Sequence, residues 1–232
     1  MKNTLITKDI FDFLKELEKN NNKEWFTERK SKFKTLESKV KDFYNSVLQS
    51  MSEHDEIEKL KMFRIYRDVR FSKDKTPYKV HFAGSFTRMG AALRGGYYIR
   101  LKPGASFIAA GFWEPNKDDL LRIRKEFELD SAEIREILND PPFKKVWGNL
   151  QGEELKTAPI GFSKEDPNID LIRKKQFIFT KNFSDQEVFS PDFKNTVSES
   201  FKYIRPYFDL MSDILTTNLN GETLLNQSSQ FQ

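Results

Sequence analysis

Apolar positions recur at three- and four-residue steps twice near the start of the chain. Residues 7–20 place Ile10, Phe13, Leu14 and Leu17 on one face, with Thr7 as N-cap and Asn20-Asn21-Asn22 as the stop, which predicts an amphipathic helix. A longer helix is predicted over 27–51, where Phe33, Leu36, Val40, Tyr44, Val47, Leu48 and Met51 keep the same period. Trp25 and Phe26 read as a hydrophobic plug at the turn between the two. After an acidic linker at 53–58 the period drops to two, and strands are predicted at 62–71, 80–88, 96–102 and 105–112. Their links hold Gly90, Gly95 and Gly96, then Pro103 and Gly104, turn residues that suit antiparallel neighbours.

Helical spacing returns after Pro115. Asn116 can cap a segment carrying Leu120, Ile123 and Phe127, and Ser131 one carrying Ile134, Ile137 and Leu138, which Pro141-Pro142 ends. A loop at 151–169 precedes a strand at 176–181 and a last helix over 191–217, capped by Ser190 with Pro191 at its first position. Val197, Phe201, Ile204, Phe208, Met211 and Leu215 form its stripe, and Pro206 is expected to kink it. One strand and one helix cannot build a core of their own. Residues 1–220 therefore read as a single α+β domain, a mostly antiparallel sheet of about five strands packed with N-terminal and C-terminal helices. Residues 221–232 are polar and read as a disordered tail.

Composition supports a folded interior: 22 Phe, 7 Tyr and 3 Trp supply apolar area despite 32% charged residues. With 39 basic against 35 acidic residues the balance is far from that of a dedicated nucleic-acid binder. Cysteine is absent, which removes disulfides, thiolate nucleophiles and thiolate metal sites together. No apolar run reaches the ~20 residues needed to span a bilayer, and the first residues lack the pattern of a secretory signal. A cytoplasmic protein without a membrane partner is the expectation. There is no HExxH, no EF-hand loop, no histidine cluster and no phosphate-cradling or nucleophile-elbow motif, so neither a metal nor a cofactor is expected.

The charge itself is concentrated. The block FRIYRDVRFSKDKTPYKVH, residues 63–81, sets Arg64, Arg67, Arg70, Lys73, Lys75 and Lys79 against Asp68 and Asp74, and so carries the whole +4 of the chain. As a strand its first half would put Phe63, Ile65, Arg67, Val69 and Phe71 on one face and Arg64, Tyr66, Asp68 and Arg70 on the other. An arginine in an apolar row needs a partner. For Arg67 that is either an internal carboxylate that fixes register or a bound anion held with help from Arg173 or Lys175. His81, paired with Asp68, is the candidate for proton transfer should the protein be an enzyme, a question the sequence leaves open. His54 sits in the acidic linker and reads as a surface residue.

The same block, together with FLKELEKNNNKEWF, GYYIRLKPG, GFWEP and the following LLRIR, IRKKQFIF and SPDF, resembles the bacterial and fungal family catalogued as domain of unknown function 2461 (DUF2461). The likeness covers nearly the whole chain to about Leu215. It implies one intracellular α+β domain and carries no activity, substrate or catalytic residue with it. The residues themselves lead to an anion-binding domain whose small, phosphate-containing ligand is held by Arg64, Arg67, Arg70, Lys75, Tyr78 and Lys79. One rival is nucleic acid on the same surface with Tyr66 and Tyr78 stacking, open but not indicated. The other is a protein-interaction module in which the basic strand is structural or meets an acidic partner. Ligand identity, strand order and oligomeric state are not legible here.

Overall fold

Local capping chemistry sets the helices of the computed structural model, which describes residues 5–225. Helix α1 (Lys8–Lys19) lies as expected between Thr7 and Asn20 and buries Ile10, Phe11, Phe13, Leu14 and Leu17. The predicted second helix begins earlier and is divided into α2 (Lys23–Glu28) and α3 (Lys30–Met51). The early start is due to Asn22, whose side chain accepts the Trp25 N–H and starts a new helix where the asparagine run had stopped the old one; the division falls at Arg29. Trp25 and Phe26 are thus helical, with Phe26 buried.

Five strands form one antiparallel sheet in the order β1-β2-β3-β4-β5: β1 (Ile57–Met62), β2 (Phe82–Arg88), β3 (Gly96–Leu101), β4 (Ser106–Phe112) and β5 (Phe177–Phe183). An α+β fold follows. The first strand corrects the sequence reading, because it begins in the last residues of the expected linker and ends where the strand at 62–71 was to begin. Residues 63–81 instead form an irregular hairpin, joined by backbone bonds Phe63–Ala83 (2.9 Å), Lys79–Ile65 (2.7 Å) and Arg67–Pro77 (2.9 Å) and by one bridge, Tyr66 to Tyr78. The alternation at Phe63–Phe71 imitates a strand. Only Ile65 of that row is buried, and Phe71 is 97% exposed.

Further along, α4 (Lys117–Leu129) starts where Asn116 accepts the N–H groups of Asp118 and Asp119. Pro141 ends α5 (Ala132–Asn139) and also opens α6 (Pro141–Trp147), for which Asp140 caps Phe143. Short α7 (Ile169–Ile172) and α8 (Asp185–Val188) flank β5. The predicted last helix is broken rather than kinked, into α9 (Phe193–Tyr203) and α10 (Arg205–Thr216). Pro206, at the start of α10, has no N–H to continue the ladder. Residues 221–225 are held in place, with Thr223 bridging Thr217 and the Leu224 N–H on Thr216 at 2.8 Å. The rest of the expected tail lies outside the described residues.

The chain divides into two compact units. The first is the chain up to Phe86 with Tyr98–Ile108 and Lys181–Glu199, and the second is Thr87–Tyr97, Ala109–Thr180 and the chain from Ser200. Within the first, α3 lays Tyr44 against Gly84, where a Cβ would meet the ring at 3.0 Å, and edge-on to Phe86. Phe33 stacks on Phe82 at 5.8 Å in the same layer. Phe82, Gly84, Phe86 and Ile99 therefore face the helix. Alternation turns Ala83, Ser85, Tyr98 and Arg100 to the far face. Within the second unit, the fully buried Arg88 donates to Arg94 O (2.9 Å) and Ser212 Oγ (3.3 Å) and meets Asp209 at 3.3 Å. Trp147 donates to Ser200 O at 3.0 Å. Among the described residues no helix is long and apolar enough to cross a membrane.

Candidate functional site

At the tip of the hairpin both carboxylates are held by arginines. Arg67 donates to the Asp74 carboxylate and to the Thr76 hydroxyl, while Thr76 donates its N–H (2.9 Å) and hydroxyl (2.8 Å) to the same carboxylate. The Thr76 N–H, then Arg67, hold the Asp74 carboxyl down at about 2. Arg70 grips Asp68 with two prongs, Nε at 3.0 Å and Nη2 at 2.7 Å, which lowers the carboxyl and raises the guanidinium. Lys75 Nζ donates to the carbonyls of Val69 (2.9 Å) and Arg70 (3.4 Å). Of the two partners open to Arg67, the chain supplies the internal carboxylate.

Tyr78 is a hairpin anchor. It is 5% exposed, its ring stacks on Phe26 at 4.0 Å, and its backbone exchanges two hydrogen bonds with the Asn21 side chain (2.9 and 3.1 Å). Tyr66, 46% exposed, leans on it at 5.4 Å. Arg173 and Lys175, expected to assist Arg67, belong to the second unit, where Arg173 meets Glu154 at 3.2 Å and Lys175 meets Glu153 at 2.6 Å.

At the base of the hairpin the charges are arranged differently. His81, just before β2, senses three cations, Arg100 of β3, Lys79 and Lys102. Burial first, then these charges, push its imidazole down to about 4. Lys79 is itself lowered, by burial and then by Arg64. Around these five groups, among the described residues, the one ion pair is Lys102 to Glu18 at 3.7 Å. Arg100 donates Nε and Nη2 to Ala105 O (3.4 and 3.2 Å) and lies over the Phe107 ring at 4.5 Å. Asp68 is not among the charges that act on His81, so the proton-transfer pair drawn from the sequence is not assembled.

Beside this cluster runs a row of half-buried rings. Phe63 lies 6.2 Å from Tyr98, and Tyr98 lies 5.6 Å from Phe107. Lys61 and Lys79 stand 5.6 and 5.7 Å from the Phe63 ring. Sequence reasoning passed over Arg100, Lys102, Phe63 and Phe107 as site residues. The signal was present in GYYIRLK, whose period of two sets Tyr98, Arg100 and Lys102 on one face. Chemically the arrangement offers concentrated positive charge, a neutral imidazole at pH 7 and flat apolar surface. Among the described residues no group of three His, Asp or Glu could hold a metal ion.

No curated protein and no solved structure matches the chain. The family described as Conserved hypothetical protein (DUF2461) matches residues 9–210, from the start of α1 into α10, and takes in both the hairpin and the cationic face. The chain belongs to that family.

Proposed function

We propose that the protein binds a small phosphate-containing anion on the far face of β2 and β3, with Lys79, Arg100 and Lys102 about His81 and Arg64 acting on Lys79. The observation that carries this reading is the charge imbalance there. Of Arg64, Lys79, His81, Arg100 and Lys102, only Lys102 has an ion pair among the described residues, with Glu18 at 3.7 Å. Gathering like charge without counter-charge costs stability, and a phosphate would offset that cost by supplying the missing anion with acceptors for several donors. The tip residues Arg67, Arg70 and Lys75 support the site from outside by shaping the hairpin that delivers Arg64 and Lys79.

The test is histidine NMR with inorganic phosphate, pyrophosphate and sugar phosphates. The chain has 2 histidines, so His54 serves as an internal reference. A bound phosphate should lift the His81 titration from about 4 toward the ordinary histidine range, with His54 unmoved. A His81 titration that none of these anions shifts, at low salt and millimolar concentration, overturns the reading.

A further inference from the structure

We infer that the phosphate ligand is a nucleoside phosphate, its base lying on the Phe63, Tyr98 and Phe107 row and its phosphates among the cations around His81. This rests on the anion reading above and adds the half of the ligand that carries no charge. A site built for phosphate alone has no use for three rings. Here they run at 6.2 and 5.6 Å spacing on the same face as the cations, only partly buried, in a protein that buries most of its aromatic side chains. Stacking of a base on such rings is tolerant of base identity and adds substantially to phosphate contacts.

Arg100 joins the two halves. Its guanidinium lies over Phe107 at 4.5 Å, which extends the flat surface, and two of its nitrogens are fixed on Ala105 O. The Nη1 edge of the fork is then left to meet a phosphate in a plane already set. The distribution of charge favours a mononucleotide over a polymer. Single-stranded nucleic acid needs cations that track its backbone, whereas Arg100, Lys79 and Lys102 converge on one imidazole and Arg64 on Lys79. Tyr78, the ring that the nucleic-acid alternative needs, is stacked on Phe26.

The experiment compares AMP and ATP with ribose 5-phosphate, tripolyphosphate and a ten-residue oligothymidylate by calorimetry, on the wild type and on Tyr98→Leu. AMP should bind about tenfold tighter than ribose 5-phosphate, and Tyr98→Leu should erase that margin. Saturation transfer from protein to the purine ring protons gives a second readout, one that does not depend on the variant folding. Equal binding of AMP and ribose 5-phosphate, with no transfer to the ring, overturns the nucleoside inference and leaves the anion reading standing. Failure of every phosphate to bind overturns both. Binding of the oligonucleotide alone, falling steeply with salt, overturns the mononucleotide in favour of a polymer.

Discussion

The hairpin tip and the sheet face at its base carry comparable numbers of basic side chains and use them in opposite ways. At the tip two of the four cations are paired with carboxylates a few residues away, Arg67 with Asp74 and Arg70 with Asp68, and Lys75 donates to two carbonyls. On the face, Lys79, Arg100 and Lys102 come from separate segments and act together on His81, and Arg64 acts on Lys79. Local pairs of opposite charge shape a turn; converging charges of one sign raise a potential. Density of basic residues along the sequence is therefore a poor guide to where positive charge is available.

The largest expected effect separates the hairpin's anchor from its tip. Tyr78→Ala removes a ring that is buried and stacked on Phe26, and should cost about 3 kcal/mol in chemical denaturation, the range for a buried aromatic. Phe71→Ala, at the fully exposed tip, should be neutral within about 0.5 kcal/mol. Equal losses would mean that the tip is packed in solution and that the contrast is wrong.

Next in size is anion binding itself. Arg100→Gln should weaken phosphate by about 10- to 100-fold, the worth of a charge-assisted hydrogen bond, as read by calorimetry at fixed salt. The comparison breaks if Arg67→Gln does the same damage while Arg100→Gln does none.

How much of this was legible depends on how local the causes are. Asn116 capping α4, and the glycine-punctuated alternation of β2, β3 and β4, act within a few residues and show in the sequence. Strand β1 did not show. IEKLKM alternates weakly because it is an edge strand with Lys59 and Lys61 exposed, while the neighbouring block alternates well and is no strand. Pro206 announced a disturbance, which in the structure is a break between α9 and α10 at Ile204. Of the proposed site, Arg64, Lys79 and His81 stand out in the sequence by charge and spacing. Arg100 and Lys102 join them because β3 runs beside β2, a neighbour relation that the glycine-containing link suggested without saying which side chains it brings together.

The third prediction concerns pH. Because the folded His81 titrates at about 4, the unfolded chain takes up a proton near 6.5 that the folded chain refuses. Stability from this source is whole above 6.5, falls as pH drops toward 4, and is lost in full below that. The loss should be about 2 kcal/mol, reduced from the roughly 3 that such a displacement implies, because solvent reaches the ring. Asp74 acts in a lower window, since its contribution is present above its unfolded value of 3.8 and is lost as pH falls through about 2. Stability measured between pH 7 and 4 should therefore flatten in His81→Gln and stay unchanged in Asp74→Asn. An identical slope in His81→Gln and wild type would mean that the imidazole is neither buried nor opposed by Arg100, Lys79 and Lys102.

The smallest effect is the sharpest test of the contrast. Arg70 and Asp68 are 76% and 50% exposed, so their pair sits in water, where such bonds contribute little and salt screens them further. Arg70→Ala should leave the thermal midpoint within about a degree and phosphate affinity within about twofold at 0.1 M salt, where fields fade over roughly 10 Å. A tenfold loss of affinity in Arg70→Ala would put the tip inside the site. The bidentate grip on Asp68 would then be a resting arrangement that ligand displaces, and the two regions would be parts of one receptor. An unchanged affinity, alongside a large loss in Arg100→Gln, would confine binding to the sheet face and leave the conspicuous basic block of the sequence as the scaffold that carries Arg64 and Lys79 to it.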